Sequence, residues 1–246
     1  MQAVSFSILR WSAWAPGLDS AEQWAAWARG ETAVAESGAP AVDFVPPLLR
    51  RRLSELSKAA LSVAFRCAQP GEPGEHRGRT VFASSQGEIH RTQRLLDDLA
   101  RGEPLSPNAF SLSVHNTASG LYAIAGGQRA PSTAVAAGVE TLEMAVIEAL
   151  GALRHGAERA VMVVLAEEPL PDRYQAWSRV QPARFALALL LAPAAEDNVW
   201  RLSRRSGPPP VRPGEAHGLG LLRLLTGARH SLTLPGERAH WCWERL

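Results

Sequence analysis

The sequence contains few residues that could do chemistry, and their spacing matches no common catalytic motif. Asp97-Asp98 and Glu167-Glu168 are acidic pairs. Because neighbouring residues on a helix or strand point to different sides, we interpret both pairs as solvated or terminus-capping charges. The seven histidines are scattered and no two stand at ligand spacing on one helix, so we predict no metal site. Phosphate-binding, dinucleotide-binding, serine-hydrolase and zinc-protease motifs are also absent from the sequence.

The two cysteines are too few for a disulfide framework. Cys67 and Cys242 each stand in an apolar stretch, which favours a small buried side chain over a reactive thiol. We therefore predict that neither cysteine takes part in chemistry.

One stretch is more informative than any single side chain. Residues 106–120 read SPNAFSLSVHNTASG, and residues 127–139 read GQRAPSTAVAAGV. Together they resemble the β-ketoacyl synthase family, in which an S-P-x-x-F-x-x-S-x-x-N-x-x-A-G segment precedes a G-x-x-G-P-S strand. The arginine-rich residues 47–60 resemble the short chain length factor relatives found in aryl polyene pigment clusters. The similarity is strongest over residues 45–170.

The departures from that family concern its catalytic groups. In the family a cysteine stands where a strand meets a helix, and the helix N-terminus lowers the thiol pKa. Counting from Pro131 without a gap places Val139 at that position, followed by Glu140, whose charge would oppose a thiolate. The family's two histidines and its lysine belong to a second half of the fold, which a chain of this length does not contain. The resemblance thus implies a non-catalytic subunit that needs no cofactor and no metal.

The resemblance further implies a partner, a complete β-ketoacyl-ACP synthase whose acyl tunnel the chain would shape in polyene or fatty-acid-like biosynthesis. Subunits of such pairs associate across the strand that matches 132–137 here. The residues expected at the interface or tunnel are Ser113, His115, Asn116, Ala118, Ser119, Ser132, Val135, Val139 and Glu140.

For His115 and for a run of three arginines, a functional interpretation stands beside a structural one. His115 could act as a general base, but we find no partner for it and favour structural or interface packing. Arg50, Arg51 and Arg52 could dock an acidic acyl carrier protein, because arginine pairs well with carboxylate and phosphate; a solvated helix face is the alternative.

Two other functions remain open. The chain could be an acyltransferase or thioesterase that reuses the scaffold, with Ser84, Ser85 or Ser113 as the nucleophile. It could also be a structural homodimer that binds an acyl ligand.

The elements that must position these residues follow from hydrophobic periodicity. Continuous apolar runs at 160–165 and 185–191 predict strands buried on both faces, and alternation of strands and helices predicts an α/β fold. The resemblance specifies it as a thiolase-like (ketosynthase) fold, N-terminal half only, with a mixed sheet, helices packed on it and residues 1–246 as one domain. We predict strands at 3–14, 81–83, 132–137, 160–165, 185–191 and 231–243, helices at 20–29, 47–67, 87–99, 140–153 and 219–225, and loops at 30–46, 69–79 and 203–215.

The helix at 140–153 raises a question of burial. In a complete synthase the second half of the fold covers this helix. Either residues 200–246 or a partner protein must cover its apolar stripe here, since exposing it costs about 1.5–3 kcal/mol per large side chain.

Composition limits the other functions. The net charge is only +2 and no basic stripe is interleaved with aromatic residues, so we predict no nucleic-acid partner. A hydrophobic fraction of 46% and a charged fraction of 20% are typical of a globular protein. We find no signal-peptide pattern and no run long enough to span a bilayer, and therefore expect a cytoplasmic protein.

Overall fold

The computed structural model describes residues 3–69, 75–156, 158–178, 183–207 and 214–246. Within these ranges eight strands form one mixed sheet in the order β3-β2-β4-β5-β1-β6-β8-β7. The strands are β1 (Val4–Trp14), β2 (Thr80–Ala83), β3 (Ser132–Val135), β4 (Val161–Glu167), β5 (Phe185–Pro193), β6 (Trp200–Ser206), β7 (Ser231–Pro235) and β8 (Ala239–Arg245).

Helices lie on both faces of this sheet, as the sequence predicts for an α/β protein. Two short 3₁₀ turns, Gly138–Glu140 and Asp172–Trp177, supplement them. The α-helices are α1 (Ala21–Ala28), α2 (Pro47–Arg50), α3 (Glu55–Ala68), α4 (Ile89–Ala100), α5 (Pro107–Ser111), α6 (Thr117–Gly126), α7 (Thr141–Arg154) and α8 (His217–Leu225).

Strand pairing in the sheet is parallel at one end and antiparallel over the rest. β2, β3 and β4 are parallel, whereas β4 pairs antiparallel with β5, and every later neighbour is antiparallel as well. Side chains on both faces of β4 and β5 are buried, as their continuous apolar sequence predicts. The parallel part places the ends of three strands at one edge, where the loops meet α7.

Two apolar cores lie on opposite faces of the sheet. One packs α3 and α6 against alternate residues of β4 and β5, including Met162 and Leu190. The other packs α1, α7 and α8 against the remaining alternate residues, including Val163 and Leu189. The period of two along a strand assigns successive residues to the two cores.

The core on the α7 side of the sheet also buries the predicted stripe of α7. Leu142, Val146 and Ala149 are at most 1% exposed. Trp241 and Trp243 of β8 and the leucines of α8 belong to the same core. Residues of the C-terminal segment therefore cover the helix, and the alternative that a partner protein must cover it is wrong.

Several predicted boundaries are also wrong. The helix predicted from 47 to 67 breaks after Arg50, and a new helix begins at Glu55, with the Ser54 hydroxyl accepting a hydrogen bond from the Ser57 amide at 2.9 Å. The leucines at 49, 53 and 56 are all buried across the break, so the periodicity does not reveal it.

Two other elements differ at the level of topology and burial. The strand predicted at 231–243 is a hairpin of β7 and β8, and β6 occupies part of the predicted loop at 203–215. The helix predicted at 87–99 exists as α4, and its apolar residues Leu96 and Leu99 are exposed, although their spacing with Leu95 predicts that they face inward. Residues 70–74 and 208–213 of the predicted loops lie outside the described residues.

Candidate functional site

A cavity of about 210 Å³ opens where the parallel strands end and α7 begins. Loops that follow the carboxyl ends of parallel strands commonly build sites in open α/β sheets. Ser85 follows β2, Val139 follows β3, and Glu167 ends β4, so the three strands deliver them to one place. Leu165 and Phe185 contribute apolar walls.

Val139 lies in the 3₁₀ turn that leads into α7. The Thr141 hydroxyl accepts a hydrogen bond from the Ala137 amide at 3.0 Å and donates one to the Gly138 carbonyl at 2.7 Å, which fixes this turn. Gly138 has a φ of +55°, in the left-handed region that favours glycine. The half-buried Val139 side chain faces the cavity but offers no nucleophilic atom.

Ser85 and Glu167 form a pair that the sequence analysis did not identify. The Ser85 amide donates to Oε1 of Glu167 at 2.8 Å, and its hydroxyl donates to Oε2 at 2.7 Å. Burial raises the pKa of the Glu167 carboxyl to about 7, although the two Ser85 hydrogen bonds act in the opposite direction. The interpretation of Glu167-Glu168 as solvated charges is therefore wrong, and the Glu168 side chain is itself only 7% exposed.

A second buried polar group lies beside the cavity and joins α7 to the C-terminal segment. Glu143 accepts from His217 Nδ1 at 2.8 Å and from the Trp243 indole N–H at 3.2 Å. Burial lowers the pKa of His217, but the Glu143 carboxylate outweighs it, so the pKa is raised overall. One helical turn earlier, Glu140 accepts from the Trp241 indole N–H at 2.7 Å, so this predicted interface residue is held within its own chain.

His115 has a structural partner. Its Nε2 lies 2.8 Å from the Ser84 carbonyl oxygen, and its ring packs against Gly87, where a Cβ would come within 2.8 Å of the ring. Gly87 also has a φ of +57°, so this turn after β2 requires glycine on two grounds. These contacts favour packing over general-base chemistry.

The three serines considered as nucleophiles have no histidine on their hydroxyl groups among the described residues. Ser84 Oγ accepts from the Gly87 amide, Ser85 Oγ donates to Glu167, and Ser113 Oγ donates to the Phe110 carbonyl. Ser84 and Ser113 therefore have no base on the hydroxyl within the described ranges, and Ser85 has the Glu167 carboxyl group there rather than a histidine. The described contacts thus contain no serine–histidine pair of the kind used by acyltransferases and thioesterases.

The residues predicted at the interface fall into two groups on α6. Ser119 is buried and Ala118 packs against the core formed with α3, so both face their own chain. Asn116, Gly120 and Ile124 are exposed, and they recur every four residues along one side. This side of α6 is therefore exposed, whereas the side that carries Ala118 and Ser119 packs on the core.

β3 lies at one edge of the sheet, beside α6. It pairs with β2 in parallel register from Ser132 to Val135, and no described strand pairs with its other side. Ser132 is exposed and Val135 half-buried. An unpaired edge offers backbone N–H and C=O groups to another chain.

The three consecutive arginines are not equivalent. Arg50 donates to Asp43 Oδ1 at 2.9 Å and to the backbone carbonyls of Asp43 and Val45, which ties it to the preceding loop. Arg51 and Arg52 are exposed, and Arg52 reaches Asn108 at 3.3 Å.

Metal-binding clusters and membrane-spanning helices are both absent from the described residues. No group of three or more His, Cys, Asp and Glu side chains is arranged to hold a metal ion there. None of the helices in the described ranges has the length and apolar character needed to cross a membrane.

Comparisons with known proteins agree with this architecture. The model of the family described as β-ketoacyl synthase, N-terminal domain, matches residues 24–244. A chain from the complex of the ketosynthase ApeO with its chain length factor ApeC from Xenorhabdus doucetiae is 26% identical, with a TM-score of 0.85 over 98% of this chain and 100% of that one. No curated protein matches the sequence.

Two further solved structures share the fold. The ishigamide ketosynthase/chain length factor has 14% identity and a TM-score of 0.78, covering 98% of this chain and 99% of that one. A β-ketoacyl synthase from Burkholderia phymatum has 14% identity and a TM-score of 0.62, covering 92% of this chain but only 71% of that one. The prediction of a thiolase-like fold that matches the N-terminal half of a ketosynthase is thus confirmed.

Proposed function

Starting from the fact that this chain belongs to the β-ketoacyl synthase N-terminal domain family, we propose that it is a chain-length-factor-like subunit. It pairs with a complete β-ketoacyl-ACP synthase and shapes the partner's acyl tunnel, without condensing activity of its own. The acyl chains handled are polyene or fatty-acid-like.

The observation that carries this proposal is the similarity to a chain of the ApeO–ApeC complex, which spans 98% of one chain and 100% of the other. The likeness to the Burkholderia synthase, by contrast, leaves part of that longer chain unmatched. Chain length factors are the non-catalytic partners of ketosynthases, so similarity over the full length favours that role.

The site chemistry supports the absence of condensation. Val139 provides no thiol at the start of α7, and the carboxylates of Glu140 and Glu143 lie within the first turns of that helix. Because two carboxylates already lie at this helix N-terminus, the helix end is poorly suited to lower the pKa of a thiol placed there.

The partner surface we propose consists of the free edge of β3 and the exposed side of α6. A partner strand would complete the hydrogen bonding of β3. Gly120 and Asn116 leave the α6 surface shallow, so a partner helix could approach closely beside the strand. This assignment replaces Ala118 and Ser119, which face inward, with Gly120 and Ile124.

Gly120→Trp tests this surface without disturbing the fold. A Cβ at Gly120 meets no other atom within 4 Å, so the free chain should tolerate the indole. At a closely packed interface the same indole would overpack the contact, at a cost of about 1–3 kcal/mol. On coexpression with a β-ketoacyl-ACP synthase that forms a heterodimer with the wild-type chain, we expect the heterodimer to dissociate or its acyl product to shorten.

Gly151→Trp is the matched control. Gly151 is also a helical glycine at which an added Cβ would meet no other atom within 4 Å, but it lies near the end of α7. Complex mass by light scattering and product length by mass spectrometry should match wild type for this control. A Gly120→Trp variant that forms the normal complex and the normal product would contradict the proposed interface.

Docking of an acyl carrier protein is a second part of the proposal. Arg51 and Arg52 are the exposed members of the arginine run and would meet acidic groups on the carrier. The double variant Arg51→Ser with Arg52→Ser should weaken carrier binding to the complex, more strongly at low salt than at high salt. Arg205→Ser, at the end of β6, is an exposed control that should have no effect; equal binding by wild type and the double variant would contradict this docking site.

A further inference from the structure

A second cavity lies between α1, the start of α8 and the loop segment 31–39, and its volume is about 510 Å³. It adjoins the cavity at the start of α7, with which it shares Pro169, Ala183 and Ala216. Small-molecule sites typically have volumes of about 300–1,000 Å³. The second cavity is therefore large enough for a small organic ligand.

The apolar part of the lining comes from the core and from the loop segment. Trp27 of α1 and Leu219 of α8 are each 8% exposed. Val34 and Ala35 line the cavity from the segment 31–39, and the Ala35 amide donates to the Pro16 carbonyl at 2.9 Å, which holds the segment in place. These side chains suit the hydrocarbon part of a ligand.

The polar part of the lining consists of Glu36, Ser37, Arg184, Glu215 and Arg223. Arg223 and Glu215 satisfy each other, because Arg223 Nε donates to one Glu215 oxygen at 3.1 Å and Nη2 donates to the other at 2.9 Å. The Arg223 guanidinium also lies over the Trp27 ring, 4.1 Å from its centroid. This pair is fixed within the wall and adds little net charge to the cavity.

Arg184, immediately before β5, has no such partner. It is half-buried, its Nε is buried without a hydrogen bond, and none of its nitrogens donates to a described residue. Glu168 interacts with Arg184 electrostatically, but the close contact of that carboxylate is with His90 Nε2 at 3.9 Å, and Glu168 lines the other cavity. Residues 179–182, which lie outside the described ranges, read RVQP and contain no carboxylate.

An anion in the cavity would supply what Arg184 lacks. A guanidinium that is partly removed from water loses hydration, and a charge-assisted hydrogen bond to an anion compensates for that loss. Glu36 is the other lining charge outside the Arg223–Glu215 pair, but it is exposed, so water and salt screen it more than they screen Arg184. A ligand cation would instead meet Arg184 as a like charge.

A carboxylate fits this arrangement better than a phosphate. Arginine binds a carboxylate through two parallel hydrogen bonds, and the single negative charge of a carboxylate matches one guanidinium. A phosphate monoester carries about 1.5–2 negative charges at neutral pH and would exceed that match. The cavity volume of about 510 Å³ is more than three times the roughly 150 Å³ that holds a benzene molecule, so there is room for a chain of several carbons.

We propose that this second cavity binds a medium-chain carboxylate, with its hydrocarbon chain against Trp27 and Leu219 and its carboxylate on the Arg184 guanidinium. The proposal goes beyond the chain-length-factor role and does not depend on it, since every lining residue comes from this chain. Failure of the binding experiment would therefore leave the proposed heterodimer unaffected.

Octanoate is the probe, and ligand-observed NMR titration of the full chain at neutral pH is the measurement. We expect saturable binding about fivefold to thirtyfold tighter than that of 1-octanol, because a hydrogen bond to a charged group is stronger than a neutral one. Octylammonium and octyl phosphate should bind more weakly than octanoate, and high salt should reduce the preference for octanoate over 1-octanol. Equal binding of 1-octanol, tighter binding of octylammonium or octyl phosphate, or no saturation would overturn the proposal.

Arg184→Gln assigns the preference to one side chain. The variant should bind octanoate and 1-octanol about equally, with the affinity for 1-octanol unchanged, because only the charge is removed. Arg154→Gln, an exposed arginine at the end of α7, is the matched control and should keep the wild-type preference. Circular dichroism checks that both variants are folded; a preference for octanoate that survives Arg184→Gln in a folded protein would refute the site.

Photolabelling locates the chain of the ligand without a substitution in the wall. An octanoate analogue with a diazirine at its far end should label peptides that contain Trp27, Leu219 or the segment 31–39, which line the cavity. An excess of octanoate should suppress this labelling. Labelling confined to other peptides would show that octanoate binds elsewhere and would contradict the proposal.

Discussion

Replacing Glu167 with glutamine should change how the stability of the protein depends on pH. In the folded chain, burial raises the pKa of this carboxyl from its ordinary 4.5 to about 7. Glutamine is nearly isosteric with the protonated carboxyl group and can still accept the hydrogen bond from the Ser85 amide. Wild type and variant should therefore be similarly stable in acid, where Glu167 is neutral.

The direction of the change follows from proton linkage. Between pH 4.5 and about 7 the folded state holds the Glu167 proton more strongly than the unfolded state does. The free energy of unfolding of the wild type therefore decreases as pH rises through this window. Integrated over the window, the loss is about 3 kcal/mol, which corresponds to roughly 6–12 °C in melting temperature for a chain of this size.

The assay compares melting curves of wild type and Glu167→Gln from pH 4.5 to pH 8.5. His217, whose raised pKa also makes stability decrease as pH rises, contributes equally to both proteins and cancels in the difference. The variant should gain stability relative to wild type as pH rises and reach its full advantage above pH 7. In Ser85→Ala the hydrogen bonds that favour the charged form of Glu167 are weakened. The pH-dependent decrease in stability that Glu167 causes should therefore have its midpoint at a higher pH than in wild type. A constant difference between wild type and Glu167→Gln over the whole range would refute the reasoning.

Three further outcomes are expected. Glu143→Ala should lower the free energy of unfolding by about 3–5 kcal/mol, because it leaves His217 buried without the carboxylate that pairs with it. Chemical denaturation measures this free energy. A loss equal to that of Glu148→Ala, an exposed control on the same helix, would contradict the prediction. Val139→Cys should not produce decarboxylation of malonyl-carrier protein by the isolated chain, since the carboxylates of Glu140 and Glu143 at the start of α7 oppose a thiolate there; measurable turnover would refute the proposed non-catalytic role. Cys67 should react with iodoacetamide far more slowly in native protein than in denaturant, because it is 1% exposed and burial raises its pKa to about 12; equal rates would show that the thiol is accessible.

Local sequence patterns predict an element when the residues that stabilise it are close in sequence, or when its apolar residues follow a regular pattern of burial. The apolar runs of β4 and β5 and the stripe of α7 belong to this class, as does the Ser20 cap of α1, whose hydroxyl accepts from the Gln23 amide at 3.3 Å. The α2–α3 break escapes prediction because Leu49 and Leu53 remain buried on either side of it.

The site is harder to predict because its groups meet only through the tertiary fold. Ser85 and Glu167 are far apart in sequence, and only the parallel pairing of β2 with β4 brings their strand ends together. Glu143 likewise meets His217 only because α8 returns to cover α7. The family resemblance draws attention to Val139, but it carries no information about these two carboxylates.

The position of β1 in the sheet has a consequence for synthesis on the ribosome. β1 is made first, yet its two neighbours are β5, which begins at Phe185, and β6, which begins at Trp200. At roughly 5–20 residues per second, β1 waits on the order of 10–35 s before either neighbour has been translated. During that interval the apolar residues Phe6 and Ile8 have no strand to pair with. The central part of the sheet can therefore close only after the residues up to β5 and β6 have been translated.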